Sequence, residues 1–174
     1  MTVRKRQIQQ TQADILSAFL QLLEDQSLDK ITMGMVAEKS GYARRTLYRH
    51  FMDMDDLLYR LVERLTLELF DEIEQRVGQA FDEAVFQFFH FWEQYQPLLS
   101  TLRKKDLLAD LQRSWGRHIS KLSLGRGDLA GNDYALHFAL GGMFSMFLNW
   151  IGQDFTQSPE EMRQVALAIQ EHLK

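Results

Sequence analysis

The chain has 174 residues, 45% of them hydrophobic and 25% charged, a composition that supports a real core and excludes a disordered or low-complexity protein. It contains no cysteine, which excludes a disulfide framework and any Cys-type zinc or redox site and fits a reducing, cytoplasmic compartment. The formal net charge of −4 hides an asymmetry: residues 1–51 carry eight Lys or Arg against five acids, a net of +3, and the rest carries twelve against nineteen, a net of −7. A basic head that meets a polyanion is thus joined to an acidic body that avoids one.

The first residues, MTVRKRQIQQTQ, lack the apolar run of a signal peptide, so no export is expected. Arg4, Lys5 and Arg6 form either an arm for phosphates or the minor groove, or a solvated terminus. Ile8, Ile15, Leu16, Phe19, Leu20 and Leu23 fall on one stripe of a first helix, closed by the polar residues from Glu24 to Ser27. Thr32 is an N-cap for a short second helix ending near Lys39, and Gly41, tolerant of a left-handed backbone, terminates it. A third short helix runs from about Ala43 to His50.

Asp53 caps a long fourth helix with Leu57, Leu58, Leu61, Val62, Leu65, Leu69, Ile73 and Val77 on its buried side. At roughly 25 residues it reaches about 40 Å, enough to join two domains, so the boundary is expected within it. Phe81 to Tyr95 reads as helix five, Pro97 opens a sixth, and Asp106 to Leu122 is the seventh, followed by the turn GRGDLAGND. Tyr134 to Ile151 is the eighth. Its 18 uncharged residues reach the lower bound for a membrane span, but it holds His137, Ser145 and Asn149, is flanked by Asp133 and Asp154, and has no Lys or Arg cluster to orient it. A helix buried among others is expected, and no membrane association. Ser158-Pro159-Glu160-Glu161 announces the last helix with a capping box and Pro at its first position, and its stripe is Met162, Val165, Ala166, Ile169 and Leu173. Nothing in the chain alternates as a strand would, so the fold class is all-α.

Helices two and three, joined by a glycine-bearing turn, match the helix-turn-helix, whose second helix enters the major groove. Leu47 and Phe51, four apart, bury one side of helix three and leave Arg44, Arg45, Tyr48 and Arg49 directed outward. Arginine's planar fork bridges O6 and N7 of guanine and pairs equally well with phosphate. A solvated basic face is the plainer alternative.

In this stretch Thr32, Val36, Ala37, Gly41, Thr46, Leu47, Tyr48, His50, Phe51 and Leu57 closely resemble the N-terminal signature of TetR-family transcriptional regulators, over about residues 8 to 60. The resemblance implies a helix-turn-helix DNA-binding domain, residues 1–52, joined by the long helix to a helical ligand-binding and dimerisation domain, residues 53–174. By the same resemblance a homodimer acts on a palindromic operator in double-stranded DNA, responding to a small-molecule effector and more often repressing than activating. Thr32, Thr46 and Tyr48 match positions that contact phosphates, and Arg44, Arg45 and Arg49 match positions that approach bases; Lys5, Tyr42 and His50 complete the candidate DNA-binding set. Three positions depart from the family pattern. Ala43 stands where Ser or Thr is common, a lost cap worth about 1 kcal/mol. Met54 replaces a common Lys, and Met35 replaces the acid of a capping box. These departures sustain an alternative, a co-regulator of the same fold acting through a protein partner with weak or no DNA binding.

Residues 70 to 155 hold 15 of the 20 aromatics, a concentration that is either plain core or the lining of an apolar cavity. Phe88, Trp92, Trp115, His118 and His137 are the candidate effector residues. His90, His118 and His137 sit on three different predicted helices without zinc-binding spacing, and no metal or other cofactor is expected. With no nucleophile elbow, P-loop or dinucleotide fingerprint, neither is an enzyme. The tract YALHFALGGMFSMFLNWI followed by SPEEMRQVALAIQ resembles the last two helices of some TetR-type regulators, which pair with their two-fold mates. That resemblance makes Met143, Phe144, Phe147, Met162, Val165 and Ile169 candidates for a dimer seam.

Overall fold

The computed structural model describes residues 3–76, 81–118 and 133–172. Within them the regular structure is helical: α1 (Val3–Asp25), a 3₁₀ turn (Leu28–Lys30), α2 (Met33–Ser40), α3 (Arg44–His50), α4 (Met54–Arg76), α5 (Phe81–Glu93), α6 (Gln96–Lys104), α7 (Leu108–His118), α8 (Asp133–Gly152) and α9 (Pro159–His172). The glycine-rich turn after α7, the expected continuation of α7 to Leu122, and Val77 and Leu173 lie outside the described residues. The chain divides into two compact units, Met1–Arg64 and Leu65–Lys174.

In the first unit, local signals set the helix ends. Thr32 Oγ1 accepts the Met35 N–H at 3.3 Å, so α2 starts on a side-chain cap. Gly41 stops it in the left-handed conformation at φ 74°, and the Tyr42 N–H returns to the Ala37 carbonyl at 3.1 Å, closing a Schellman motif that a side chain at 41 would strain. At the head of α4 the Asp53 carboxylate accepts the Asp56 N–H at 2.9 Å and the Asp56 carboxylate accepts the Met52 N–H at 3.0 Å, a reciprocal cap. Ile15, Phe19, Val36, Leu47, Phe51, Leu57 and Leu61 are buried as this unit's core. Two polar ties hold α1: the Tyr42 hydroxyl donates to Asp14 Oδ2 at 2.8 Å, and Arg64 Nη1 donates to the Ala13 carbonyl at 3.1 Å and Ser17 Oγ at 3.0 Å. Ile8 departs from expectation, being 41% exposed. It lines an open cleft with Tyr42, Arg49 and His50, and the buried stripe begins at Ile15.

The second unit begins with the later turns of α4, where Leu65, Leu69, Phe70 and Ile73 are buried. Helix α5 packs mainly on α9, and α6 meets α7 and α8. Arg163 of α9 pairs with Asp82 of α5 at 3.1 Å. Ser114 of α7 donates to Thr66 of α4 at 3.0 Å, both fully buried, so neither hydroxyl is left unsatisfied in an apolar setting. Arg103 of α6 donates to the Ile151 carbonyl at 2.6 Å and to Asp154 at 3.1 Å, a cation on the carbonyl end of α8, where the helix dipole favours it. The capping box of α9 is complete: Glu161 accepts the Ser158 N–H at 2.7 Å and Ser158 Oγ accepts the Glu161 N–H at 3.3 Å.

Candidate nucleic-acid interface

Helix α3 is seven residues long, too short to be stable alone, and is held by the burial of Leu47 and Phe51, 0% and 2% exposed. Anchoring that side fixes what the other presents. Arg44, Arg45, Tyr48 and Arg49 are exposed, and Thr46 and His50 are half-buried. Thr32, at the start of α2, and Lys5, on α1, are exposed too, and Tyr42 is half-buried in its hydrogen bond to Asp14. The nine candidate DNA-binding residues therefore all lie in the first unit, on α1, α3 and the ends of α2.

The expected weakness of the α3 start is visible, since Ala43 occupies the N-cap at φ −64°, ψ 144° without a side-chain hydrogen bond. Arg49 and His50 border a cleft of about 740 Å³ whose opposite wall is Arg4, Gln7 and Ile8 of α1. Burial, and secondarily the charge of Arg49, pushes the His50 imidazole below its ordinary 6.5, so the ring is neutral at pH 7 and serves as a hydrogen-bonding group there, not as a cation. The cleft's two guanidinium groups suit it to a phosphate backbone. Its α1 wall was not legible in the sequence, because Gln7 and Ile8 read as one more turn of an amphipathic helix. Arg44 takes a particular posture, its guanidinium lying where a side chain at Gly34 of α2 would stand.

Three of the five candidate effector residues converge in the second unit. The Phe88 and Trp115 rings are 5.1 Å apart and Trp92 and Trp115 are 6.2 Å apart, all buried. His118 is half-buried at the last turn of α7, and His137 is exposed on α8 and does not join the cluster. His90 is also exposed, 3.7 Å from Glu93.

The residues expected in a seam on α8 and α9 divide between buried and exposed positions. Phe144, Phe147 and Met162 are buried within the chain itself; Phe147 sits 5.2 Å from Trp115, 5.3 Å from Phe88 and 5.6 Å from Trp92. These side chains are core and have no free face to offer a partner. Met143 is half-buried, whereas Val165 and Ile169 are exposed as a seam needs. The outward stripe of α8 is instead Tyr134, Phe138, Gly141, Ser145, Leu148 and Gly152, alternating four and three residues apart. Because α8 is apolar nearly all round, its periodicity could not tell inward from outward; the alternating spacing of aromatic and small residues was the available signal.

Comparison with known proteins agrees with this geometry. Residues 15–61 match the family model described as bacterial regulatory proteins, tetR family. The fold is similar to that of the TetR family repressor AlkX from a Dietzia species, implicated in biodegradation of n-alkanes, at 20% identity and a TM-score of 0.61 over 93% of this chain and 94% of that one. It is likewise similar to a TetR transcriptional regulator from Streptococcus agalactiae, at 24% identity and a TM-score of 0.57 over 96% and 97%. The helix-turn-helix and its flanking helices thus match the tetR family of bacterial regulatory proteins over residues 15–61, and the chain as a whole shares its all-helical fold with such regulators.

Proposed function

We propose that this protein is a ligand-responsive repressor that binds a palindromic operator as a homodimer in the cytoplasm, with residues 1–52 reading DNA and residues 53–174 serving dimerisation and effector binding, without enzymatic activity. The observation that carries the DNA-reading part is the two-sided α3, with Leu47 and Phe51 buried beneath and Arg44, Arg45, Tyr48 and Arg49 exposed above. Arginines approach base edges, with Thr32, Thr46, Tyr48 and Lys5 on phosphates.

The partner in assembly is a second copy of the chain. Tyr134 and Phe138 are 88% and 73% exposed, too much apolar surface to leave in water on a helix end, and Gly141 and Ser145 between them and Leu148 permit close helix approach. Val165 and Ile169 of α9 are exposed apolar residues as well, at 43% and 39%. Two-fold pairing of these helices closes an isologous interface, which the palindrome mirrors.

The effector reading rests on the aromatic cluster. Trp92 Nε1 and Trp115 Nε1 are buried without a hydrogen-bond partner among the described residues, and buried indole N–H groups normally have one. A largely apolar effector bearing an acceptor oxygen supplies it. Helix α4 is the route of communication: Arg64 fastens it to α1 and, two residues on, Thr66 fastens it to α7 beside Trp115. A ligand that favours one setting of α7 then favours one spacing of the recognition helices, which must stand about 34 to 36 Å apart, or a multiple, to engage both half-sites.

The test is reciprocity. Once a binder is found by thermal-shift screening, its affinity is measured with and without operator DNA; the proposal requires operator to weaken the ligand by about 5- to 150-fold, the same factor by which ligand weakens operator. Equal ligand affinities in the two states would refute induction.

A further inference from the structure

Among the described glycines, Gly41 is required by its positive φ, and Gly116, Gly141, Gly142 and Gly152 face open space where an added Cβ would meet nothing within 4 Å. Gly34 is different. It lies inside α2 without a positive φ, so its backbone needs no glycine, and glycine there weakens a helix of only eight residues. A Cβ at this position would stand 2.9 Å from Arg44 Cζ and 3.1 Å from Arg44 Nε, and nearer still to one terminal nitrogen. What needs the glycine is the space that the Arg44 guanidinium fills.

We infer that Gly34 is a positioning residue for Arg44: its missing side chain is the seat that holds the guanidinium for reading a base. The inference rests on the DNA-reading role proposed for α3. Arg44 opens α3, whose N-cap Ala43 makes no side-chain hydrogen bond, so neither a cap nor burial restrains an exposed arginine with many rotamers. An unrestrained arginine gives up rotamer freedom on binding. Packing the planar group against the bare backbone of α2 removes part of that freedom before DNA arrives, which sharpens discrimination because a preorganised fork meets a wrong base without readjusting. Any larger residue at 34 evicts Arg44 from the seat while leaving its charge on the same face. Sequence preference then falls while non-specific attraction to DNA persists.

The experiment is a double-mutant cycle on the full-length protein, using an operator recovered by selection from random DNA and a panel of its single-base-pair variants. Arg44→Ala and Gly34→Ala are expected to lose discrimination at the same base pair, each by about fivefold or more, with thermal stability of Gly34→Ala equal to or above wild type. In the Arg44→Ala background, Gly34→Ala should change nothing further. The Arg44 Nε–Hε resonance, recorded without DNA, should move on Gly34→Ala while the Arg45 and Arg49 resonances stay in place. An effect of Gly34→Ala that persists without Arg44, or wild-type discrimination in Gly34→Ala, overturns the inference. A wild-type protein with no sequence preference on any DNA sinks the operator reading together with the base-reading role of Arg44, and unmoved resonances sink the seat by themselves.

Discussion

Replacing Phe147 by alanine should destabilise the body by about 3 to 5 kcal/mol, the usual range for deleting a fully buried aromatic. The upper part of that range is expected, because the Phe147 ring has Trp115, Phe88 and Trp92 within 5.6 Å and also borders Trp150 and Phe89, and each well-placed aromatic pair adds about 0.5 to 1.5 kcal/mol beyond burial. Its neighbour Leu148 is 39% exposed, so Leu148→Glu should alter the protomer's own packing little, by about 0.5 kcal/mol. It places a charge in the proposed seam, however, and desolvating an unpaired carboxylate there should dissociate the dimer. Denaturant titration at several protein concentrations, read beside sedimentation velocity, separates the two, since loss of a dimer makes the midpoint concentration-independent and loss of core does not. A Phe147→Ala protein as stable as wild type, or a Leu148→Glu protein that remains dimeric at micromolar concentration, would refute the division of α8 into an inward and an outward face.

The other predictions concern local devices. Gly41→Ala should destabilise the head by about 1 kcal/mol or more, because φ 74° is strained for any L side chain, and its urea midpoint checks this. Arg49→Ala should relax operator preference, with about 1 to 3 kcal/mol lost if the side chain reads a guanine, whereas Lys5→Ala should weaken all DNA alike and reduce the salt slope by about 1; identical behaviour of the two on specific and random DNA would overturn that assignment. The Ser158 backbone N–H, and after it the Ser158 hydroxyl, hold the Glu161 carboxyl below its ordinary 4.5, and Ser158→Ala removes the hydroxyl's share. A lowered carboxyl pKa stabilises the fold above 4.5 and loses that contribution as pH falls through it, so the stability gap between wild type and variant should be widest near neutrality and narrow below pH 4.5. A gap that grows on acidification would contradict this cause.

Much of the head was legible because its signals are local. Thr32, Gly41 and Asp53 act on backbone groups within five residues, and Leu47 and Phe51 announce the buried side of α3 by spacing alone. The Gly34–Arg44 contact was not legible, since it joins two helices through space and a lone glycine in a short helix reads only as a weak residue. In the body, local caps again read correctly at Ser158, but side-chain direction did not. Helix α8 has apolar residues on nearly every face, so Phe144 and Phe147 looked as suited to a seam as Phe138 and Leu148. Only the rings of Trp115 and Phe88, brought to Phe147 from α7 and α5, decide which side faces the core.

The central claim is sequence-specific DNA reading by α3, and a salt series of binding to a selected operator and to random DNA tests it most directly. The account predicts a steep, linear fall of log affinity with log salt on both, with operator binding about a thousandfold or more tighter at physiological salt. Affinities indistinguishable between operator and random DNA, or binding indifferent to salt, would contradict it and favour a partner protein in place of DNA.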